Sequence, residues 1–188
     1  MTAAPGSDQV PGNAPGNPSG EGPDGSSSAA RGGKRSAARL GAIQALYQIE
    51  ITGAATERVV QEFLSHRLDE EVEGLRLGAI DDALFTDLVG GVVGEAAQLD
   101  DMLSAVLAEG WPIERLEALL KLILRAGAYE LAYRRDVPAR SIIKEYVDLA
   151  HAFLSGKEPG MANGVLDRLA RDLRPEEFEA ASPQEPGA

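Results

Sequence analysis

Apolar side chains recur every three or four positions along most of this chain, which is the spacing of an amphipathic helix. Almost no segment alternates with the two-residue period of a half-buried strand. The pattern therefore predicts an all-α protein with about seven helices. They are expected over about 34–51, from Thr56, from Asp81, over about 95–107, from Pro112, from Pro138 to Gly156, and over about 159–173.

Three of these helices carry features that bear on packing. An apolar stripe on the first helix is expected to face the core: Leu40, Ile43, Tyr47 and Ile51. The fifth helix is apolar around much of its circumference, which is typical of a central helix. In the third helix Gly90 and Gly91 cost about 1 kcal/mol each relative to alanine, so they indicate a close helix contact or a kink.

The two ends of the chain differ from this middle part. Sixteen of the first 30 residues are Gly, Pro or Ser, and few are large and apolar, so burial cannot offset the cost of ordering them. We expect a disordered tail over residues 1–32 and a helical domain over 33–174. Residues 175–188 are expected to form an acidic tail that frays.

Composition narrows the class of protein. Only 5% of the residues are aromatic, which favours helices over sheets. There are no cysteines, which excludes disulfides and thiolate metal sites. No signal-like start or apolar run of membrane-spanning length is present, so a cytoplasmic protein is expected. The formal charge is −12, yet residues 31–49 hold four cations and no acid, while residues 50–110 carry −11.

Motifs for chemistry are missing. The run Gly90-Gly91-Val-Val-Gly94 follows no strand and lacks the Gly-Lys-Ser/Thr of a phosphate loop. His66 and His151 stand isolated, with no second ligand or nucleophile near them in the sequence. No catalytic residue, metal site or cofactor is predicted.

The basic run at the first helix favours binding. Arg35 and Arg39 lie one turn apart on one flank, with Lys34 beside them, although cations at a helix start oppose the helix dipole. Gln44 offers an amide for a base edge, and Tyr47 offers a ring for stacking, as single-stranded RNA requires. The alternative from the residues alone is a solvated helix start, with Gln44 on the surface and Tyr47 in the core.

Two blocks in this order resemble the NusB family of bacterial transcription antitermination factors. The first is RSAARLGAIQALYQIEITG, and the second runs from LILRAGAYELAYRRDVPARS to MANGVLDRLAR. The details GWP and EPGM are similar to alphaproteobacterial members. The resemblance implies two helical subdomains, no catalysis, and binding of boxA RNA in ribosomal RNA transcripts together with NusE, a ribosomal protein. That complex is expected to join RNA polymerase and other Nus factors, and members occur as monomers or homodimers.

The resemblance also implies site residues. Lys34, Arg35, Arg39, Gln44 and Tyr47 are expected to contact RNA, and the side chains of Arg35, Arg39 and Gln44 are expected to face outward. At the start of the last helix, Lys157 and Met161 are expected to do the same. Asn163 and Gly164 match the family's closing motif, where we expect a packing role. The face toward NusE is expected to include three residues of the fifth helix: Arg125, Tyr129 and Glu130.

Two other functions remain open from the sequence. A related helical domain precedes the catalytic part of some ribosomal RNA methyltransferases, so the chain is also compatible with an RNA-binding accessory domain. A helical protein-interaction module without RNA binding would instead use the acidic segment 50–110 as its working surface.

Overall fold

The computed structural model describes residues 24–67, 71–72, 75–76, 80–108 and 111–179. This part of the chain contains eight α-helices, and the all-α prediction is confirmed. The helices are α1 (Asp24–Thr52), α2 (Thr56–Glu62), α3 (Asp82–Gly94), α4 (Ala96–Val106), α5 (Ala118–Tyr133), α6 (Ala139–Phe153), α7 (Glu158–Leu173) and α8 (Glu176–Glu179). A π-helical turn, Phe63–Arg67, extends α2, and two short strands, β1 (Glu71–Val72) and β2 (Leu75–Arg76), pair antiparallel.

The first helix begins ten residues before the predicted start. Its backbone is helical from Asp24, so the prediction of disorder is wrong for residues 24–32, while residues 1–23 lie outside the described part. Once a helix has nucleated, each added residue forms one hydrogen bond at little further cost. The Ala29-Ala30-Arg31 stretch joins this segment to the core helix with residues that favour helix.

The fifth helix starts later than predicted, at Ala118 rather than near Pro112. Pro112 instead precedes a single 3-10 turn, Ile113–Arg115. Leu116 and Glu117 then have ψ values of 143° and 140°, which are extended and end the turn. This break lets the side chains of Ile113 and Leu116 both reach the core, where each is buried.

The glycines of α3 confirm a close helix contact. A Cβ built on Gly91 would lie 2.1 Å from the ring of Tyr129, so no larger residue fits without displacing that ring. The helix ends at Gly94, and Glu95, with φ −102° and ψ 13°, separates it from α4. The predicted break between these helices is therefore also confirmed.

Helix α5 is central, as its composition predicts. It packs against α1, α3, α4, α6 and α7, while α1 packs on α3 and α6 packs on α7. A second close approach occurs at Gly127, where a Cβ would lie 2.8 Å from the side chain of Leu166 on α7. Within the described ranges no helix is long and apolar enough to cross a membrane.

Arg174, just after α7, fastens the C-terminal end of α5. Its side chain is fully buried and donates hydrogen bonds of 2.7–3.0 Å to four backbone carbonyls: those of Glu130, Leu131, Arg134 and Val137. Glu177 of α8 accepts from Arg174 at 3.0 Å and from the backbone N–H of Ala139 at 2.7 Å. The prediction of a fraying tail from residue 175 is thus wrong for Glu176–Glu179, while residues 180–188 lie outside the described part.

Candidate nucleic-acid interface

The basic start of α1 is partly compensated by acids from two other elements. Lys34 is exposed and has no side-chain partner in the described structure. Arg35 is half-exposed, and its guanidinium lies 3.3 Å from a carboxylate oxygen of Asp136 and 3.7 Å from one of Asp81. A phosphate could therefore bind Lys34 directly, whereas binding to Arg35 would compete with the carboxylates of Asp136 and Asp81.

Arg39 is not on this surface, and the prediction that it faces outward is wrong. Only 3% of the residue is exposed, and its Nε and Nη2 donate to the two carboxylate oxygens of Glu130, both at 2.7 Å. The hydroxyl of Tyr146 donates to the same carboxylate at 2.8 Å, and Glu145 lies 3.6 Å from Arg39. Burial tends to lower the pKa of Arg39, but the hydrogen bonds and charge of Glu130 outweigh it and raise this pKa.

The reason for this error is the position of α5. Arg35 and Arg39 share a helix flank, but α1 crosses α5 at Arg39, so α5 covers that guanidinium while leaving Arg35 near the edge. A bidentate pair with both charges buried is a structural contact rather than a free binding group. We therefore do not retain Arg39 as an RNA contact.

Further along α1, Gln44 and Tyr47 are accessible. Gln44 is half-buried and its amide has no hydrogen-bond partner in the described structure, while 42% of Tyr47 is exposed. Ile51, one turn later, is 63% exposed. The predicted core stripe therefore holds at Ile43 but is wrong at Tyr47 and Ile51, because small Ala side chains and Leu46 form the buried face instead.

The start of α7 presents a second set of predicted residues. Lys157 is exposed and has no partner in the described structure, and Met161 is partly exposed. Asn163 and Gly164 are also exposed, and a Cβ built on Gly164 would meet nothing within 4 Å. The packing role predicted for Asn163 and Gly164 is therefore wrong, because both residues are exposed and Gly164 makes no close contact with another helix.

The residues predicted to meet a protein partner are mostly buried. Glu130 is fully buried beside Arg39, and Tyr129 is only 8% exposed, with its hydroxyl donating to Asp87 at 3.0 Å. Both predictions are wrong as surface contacts, since α5 is covered on these sides. Arg125 forms a bidentate pair with Asp100 at 2.7 and 2.6 Å and remains partly accessible, so its contact with a partner stays a prediction.

Sequence reasoning missed the acids that hold Arg35. Asp136 accepts from Arg134 as well, and that hydrogen bond, with the nearby charges of Arg134 and Arg35, lowers the pKa of Asp136 to about 2. Arg134 also donates to Asp87 at 2.8 Å, so its charge is shared between two carboxylates. The sequence did contain one signal for this contact. In the Asp-Val-Pro turn, Asp136 lies just before α6, where no residue of that helix is placed to pair with its carboxylate.

Exposed apolar side chains occur on α1 and on α3. Tyr47, Ile51 and Val93 are each at least 40% exposed. A depression of about 130 Å³ between α1, α3 and α5 is lined by Ile49, Val93 and Arg125, among others. Within the described ranges, no three His, Asp or Glu side chains are grouped closely enough to hold a metal ion.

Comparison with known proteins agrees with this architecture. The NusB family model matches residues 36–171. A transcription antitermination protein NusB from Rhodopseudomonas palustris strain BisB18 is 50% identical over 145 residues, which are 77% of this chain and 86% of the relative. Its counterpart from Nitrobacter hamburgensis is 52% identical over 145 residues and is covered to 91%.

Solved structures show the same fold. T. maritima NusB superposes with a TM-score of 0.65 at 26% identity, covering 77% of this chain and 96% of that one. A crystal structure of antitermination factors NusB and NusE in complex with double-stranded RNA gives a TM-score of 0.60 at 20% identity, covering 73% of this chain and 96% of that one.

Proposed function

This chain belongs to the NusB family, and from that premise we propose that it acts as an RNA-binding transcription antitermination factor. Its relatives in Rhodopseudomonas palustris and Nitrobacter hamburgensis are named transcription antitermination protein NusB. The proposed RNA is boxA of ribosomal RNA transcripts, and the proposed place of action is the bacterial cytoplasm. The factor would work within an RNA polymerase complex containing other Nus factors.

The observation that carries the RNA proposal is the free or partly free cations at the start of α1. Lys34 has no partner and Arg35 is held only by half-exposed carboxylates, so both charges are available to phosphate. Surface ion pairs of this kind contribute at most about 1 kcal/mol, which a phosphate contact can replace. Gln44 and Tyr47 continue the same helix with an unpaired amide and an exposed ring, the groups that read and stack unpaired bases.

A protein partner similar to NusE is the second part of the proposal. The likeness to a NusB–NusE structure supports it at the level of the fold. In this chain, Tyr47 and Ile51 are exposed apolar side chains on α1, and Val93 of α3 is exposed beside Arg125. Aromatic and arginine side chains of this kind are enriched at the centres of protein interfaces. The same exposed side chains would serve a homodimer, so the two assemblies would compete.

A mobility shift with boxA RNA, with and without NusE, tests the proposal. We expect boxA RNA to bind more tightly than a scrambled oligonucleotide, and NusE to increase that affinity. Lys34→Gln is expected to weaken binding and to reduce the slope of log affinity against log salt by about 0.7, the value for one phosphate contact on a single strand. Arg58→Gln is the matched control, because Arg58 is an exposed, unpaired cation on α2.

Two outcomes would contradict the proposal. Equal binding of boxA and scrambled RNA, in the presence of NusE, would favour the protein-interaction module. Equal effects of Lys34→Gln and Arg58→Gln would mean that RNA senses only the overall charge. Retained NusE binding by Lys34→Gln would separate the RNA contact from the protein contact.

A further inference from the structure

A groove lies between the end of α4, with Leu107, Ala108 and Trp111 beyond it, and the stretch of α7 that ends at Arg168. Its volume is about 410 Å³, and its floor is apolar, formed chiefly by Leu107, Trp111, Met161 and Val165. Such a volume falls within the range of about 300–1,000 Å³ that holds small ligands and cofactors. The groove is therefore large enough for one base with its sugar, and too small for a folded domain.

Trp111 is a large apolar residue of this groove that does not pack into the core. It is 53% exposed, and it has no aromatic or cationic partner in the described structure. Trp111 also lines a neighbouring depression of about 630 Å³ beside Pro112, so it borders two open spaces. A half-exposed indole ring that borders open space is available for stacking.

Two cations border the same groove without acidic partners. Lys157 and Arg168 both line it, and neither has a hydrogen bond or ion pair in the described structure. The contrast with Arg171, one turn further along α7, is informative, because Arg171 is paired with Asp167 at 2.8 Å. Asp167 thus pairs with Arg171 and not with its neighbour Arg168, whose guanidinium has no acidic partner in the described structure.

Gly164 keeps the wall of the groove open. It lines the groove, it is exposed, and a Cβ at this position would touch nothing within 4 Å. A glycine in the middle of a helix costs about 0.5–1 kcal/mol relative to alanine, and here no close helix contact offsets that cost. The absence of a side chain instead allows another molecule to approach the backbone of α7.

From these observations we propose that the groove binds a nucleotide of single-stranded RNA, with a base stacked on Trp111 and the flanking phosphates held by Lys157 and Arg168. This inference rests on the proposed RNA-binding function and extends the RNA path past the first turn of α7. An aromatic platform combined with unpaired cations is how sequence-tolerant single-strand sites are built. An apolar protein segment would fill the floor but leave both cations without a counter-charge.

The fluorescence of Trp111 offers a direct measurement, since the chain contains a single tryptophan. In the full chain, we expect boxA RNA to quench this fluorescence and to protect the ring from acrylamide. Trp111→Ala is expected to reduce RNA affinity by about five- to tenfold, near the lower end of base–aromatic stacking, because the ring is only half-enclosed. Trp111→Phe is expected to retain most of the affinity, since it keeps a stacking surface.

Arg168→Gln tests the charge independently of the ring. It is expected to reduce the salt slope of RNA binding by about 0.7, whereas Arg171→Gln, whose cation is already paired, is expected to change it less. Both positions are exposed, so circular dichroism should show unchanged helicity.

The outcomes separate this inference from the proposed function. If RNA binds the native chain but neither Trp111→Ala nor Arg168→Gln alters its affinity, the groove inference is wrong and the function stands. If Trp111→Ala loses NusE while keeping RNA, the groove is a protein site and the inference is wrong. If boxA RNA does not bind the native chain even with NusE, the proposed function itself fails and takes the inference with it.

Discussion

Replacing Arg39 with alanine is expected to destabilise the domain. The change removes two hydrogen bonds of 2.7 Å and leaves the carboxylate of Glu130, which is 0% exposed, with only the hydroxyl of Tyr146 as a donor. Breaking a buried ion pair from one side costs about 3–5 kcal/mol. Against a total stability of about 5–15 kcal/mol, this is a large fraction. For a domain of this size it corresponds to a fall in Tm of roughly 6–20 °C.

Urea unfolding followed by circular dichroism measures this loss. A double variant, Arg39→Met with Glu130→Gln, is expected to be more stable than Arg39→Ala, because the buried charge is gone and the amide oxygen still accepts from Tyr146. Arg35→Ala is the matched control. Its ion pairs are longer and partly exposed, so it should cost at most about 1 kcal/mol.

The assay has a clear refuting result. If Arg39→Ala costs no more free energy of unfolding than Arg35→Ala, the pair with Glu130 is not a buried structural contact. If Arg39→Ala also abolishes RNA binding at a temperature where it is fully folded, the outward orientation expected from the sequence is restored.

Three further predictions concern packing and charge. Gly91→Ala should cost about 1–3 kcal/mol in thermal melts because its Cβ meets a tyrosine ring, whereas Gly90→Ala, in open space, should be neutral or stabilise by up to about 1 kcal/mol. Arg174→Met should cost at least about 3 kcal/mol and accelerate hydrogen exchange near the end of α5, since four carbonyls each lose a hydrogen bond from the buried guanidinium. The pKa of Asp136 is lowered to about 2, so its contribution is present above the ordinary aspartate pKa and disappears as the pH falls toward 2. Asp136→Asn should therefore reduce the loss of stability at acidic pH, measured as the urea midpoint against pH. The difference in free energy of unfolding should be under about 1 kcal/mol, because the carboxylate is half-exposed.

Local patterns in the sequence predict most of the helices. The break at Gly94, the central position of α5 and the start of α6 after Pro138 all follow from spacing, glycine cost and proline geometry. Such signals act within a few residues, so one sequence suffices to read them. The late start of α5 escaped because Pro112 is equally suited to a short 3-10 turn and to a full helix.

The site was harder to predict because its side chains are sorted by contacts between distant residues. Arg39 and Glu130 are 91 positions apart, and helical spacing alone cannot show which flank another helix covers. One signal was present, since Glu130 is an acid within a helix that is apolar on most sides, which indicates a buried cationic partner. Trp111 and Arg168 were not predicted as site residues, because their groove forms only where α4 and α7 meet in the folded protein.

The contacts of Arg174 also have a consequence for synthesis of the chain. Its donors serve carbonyls up to 44 positions earlier, so the carbonyls at the end of α5 lack this side-chain donor until the ribosome has added that stretch. At about 5–20 residues per second this delay is roughly 2–9 s. Throughout that interval the nascent domain lacks the hydrogen bonds that Arg174 donates to the end of α5 and the turn after it. A product released before Arg174 would expose the end of its central helix and become a substrate for proteolysis.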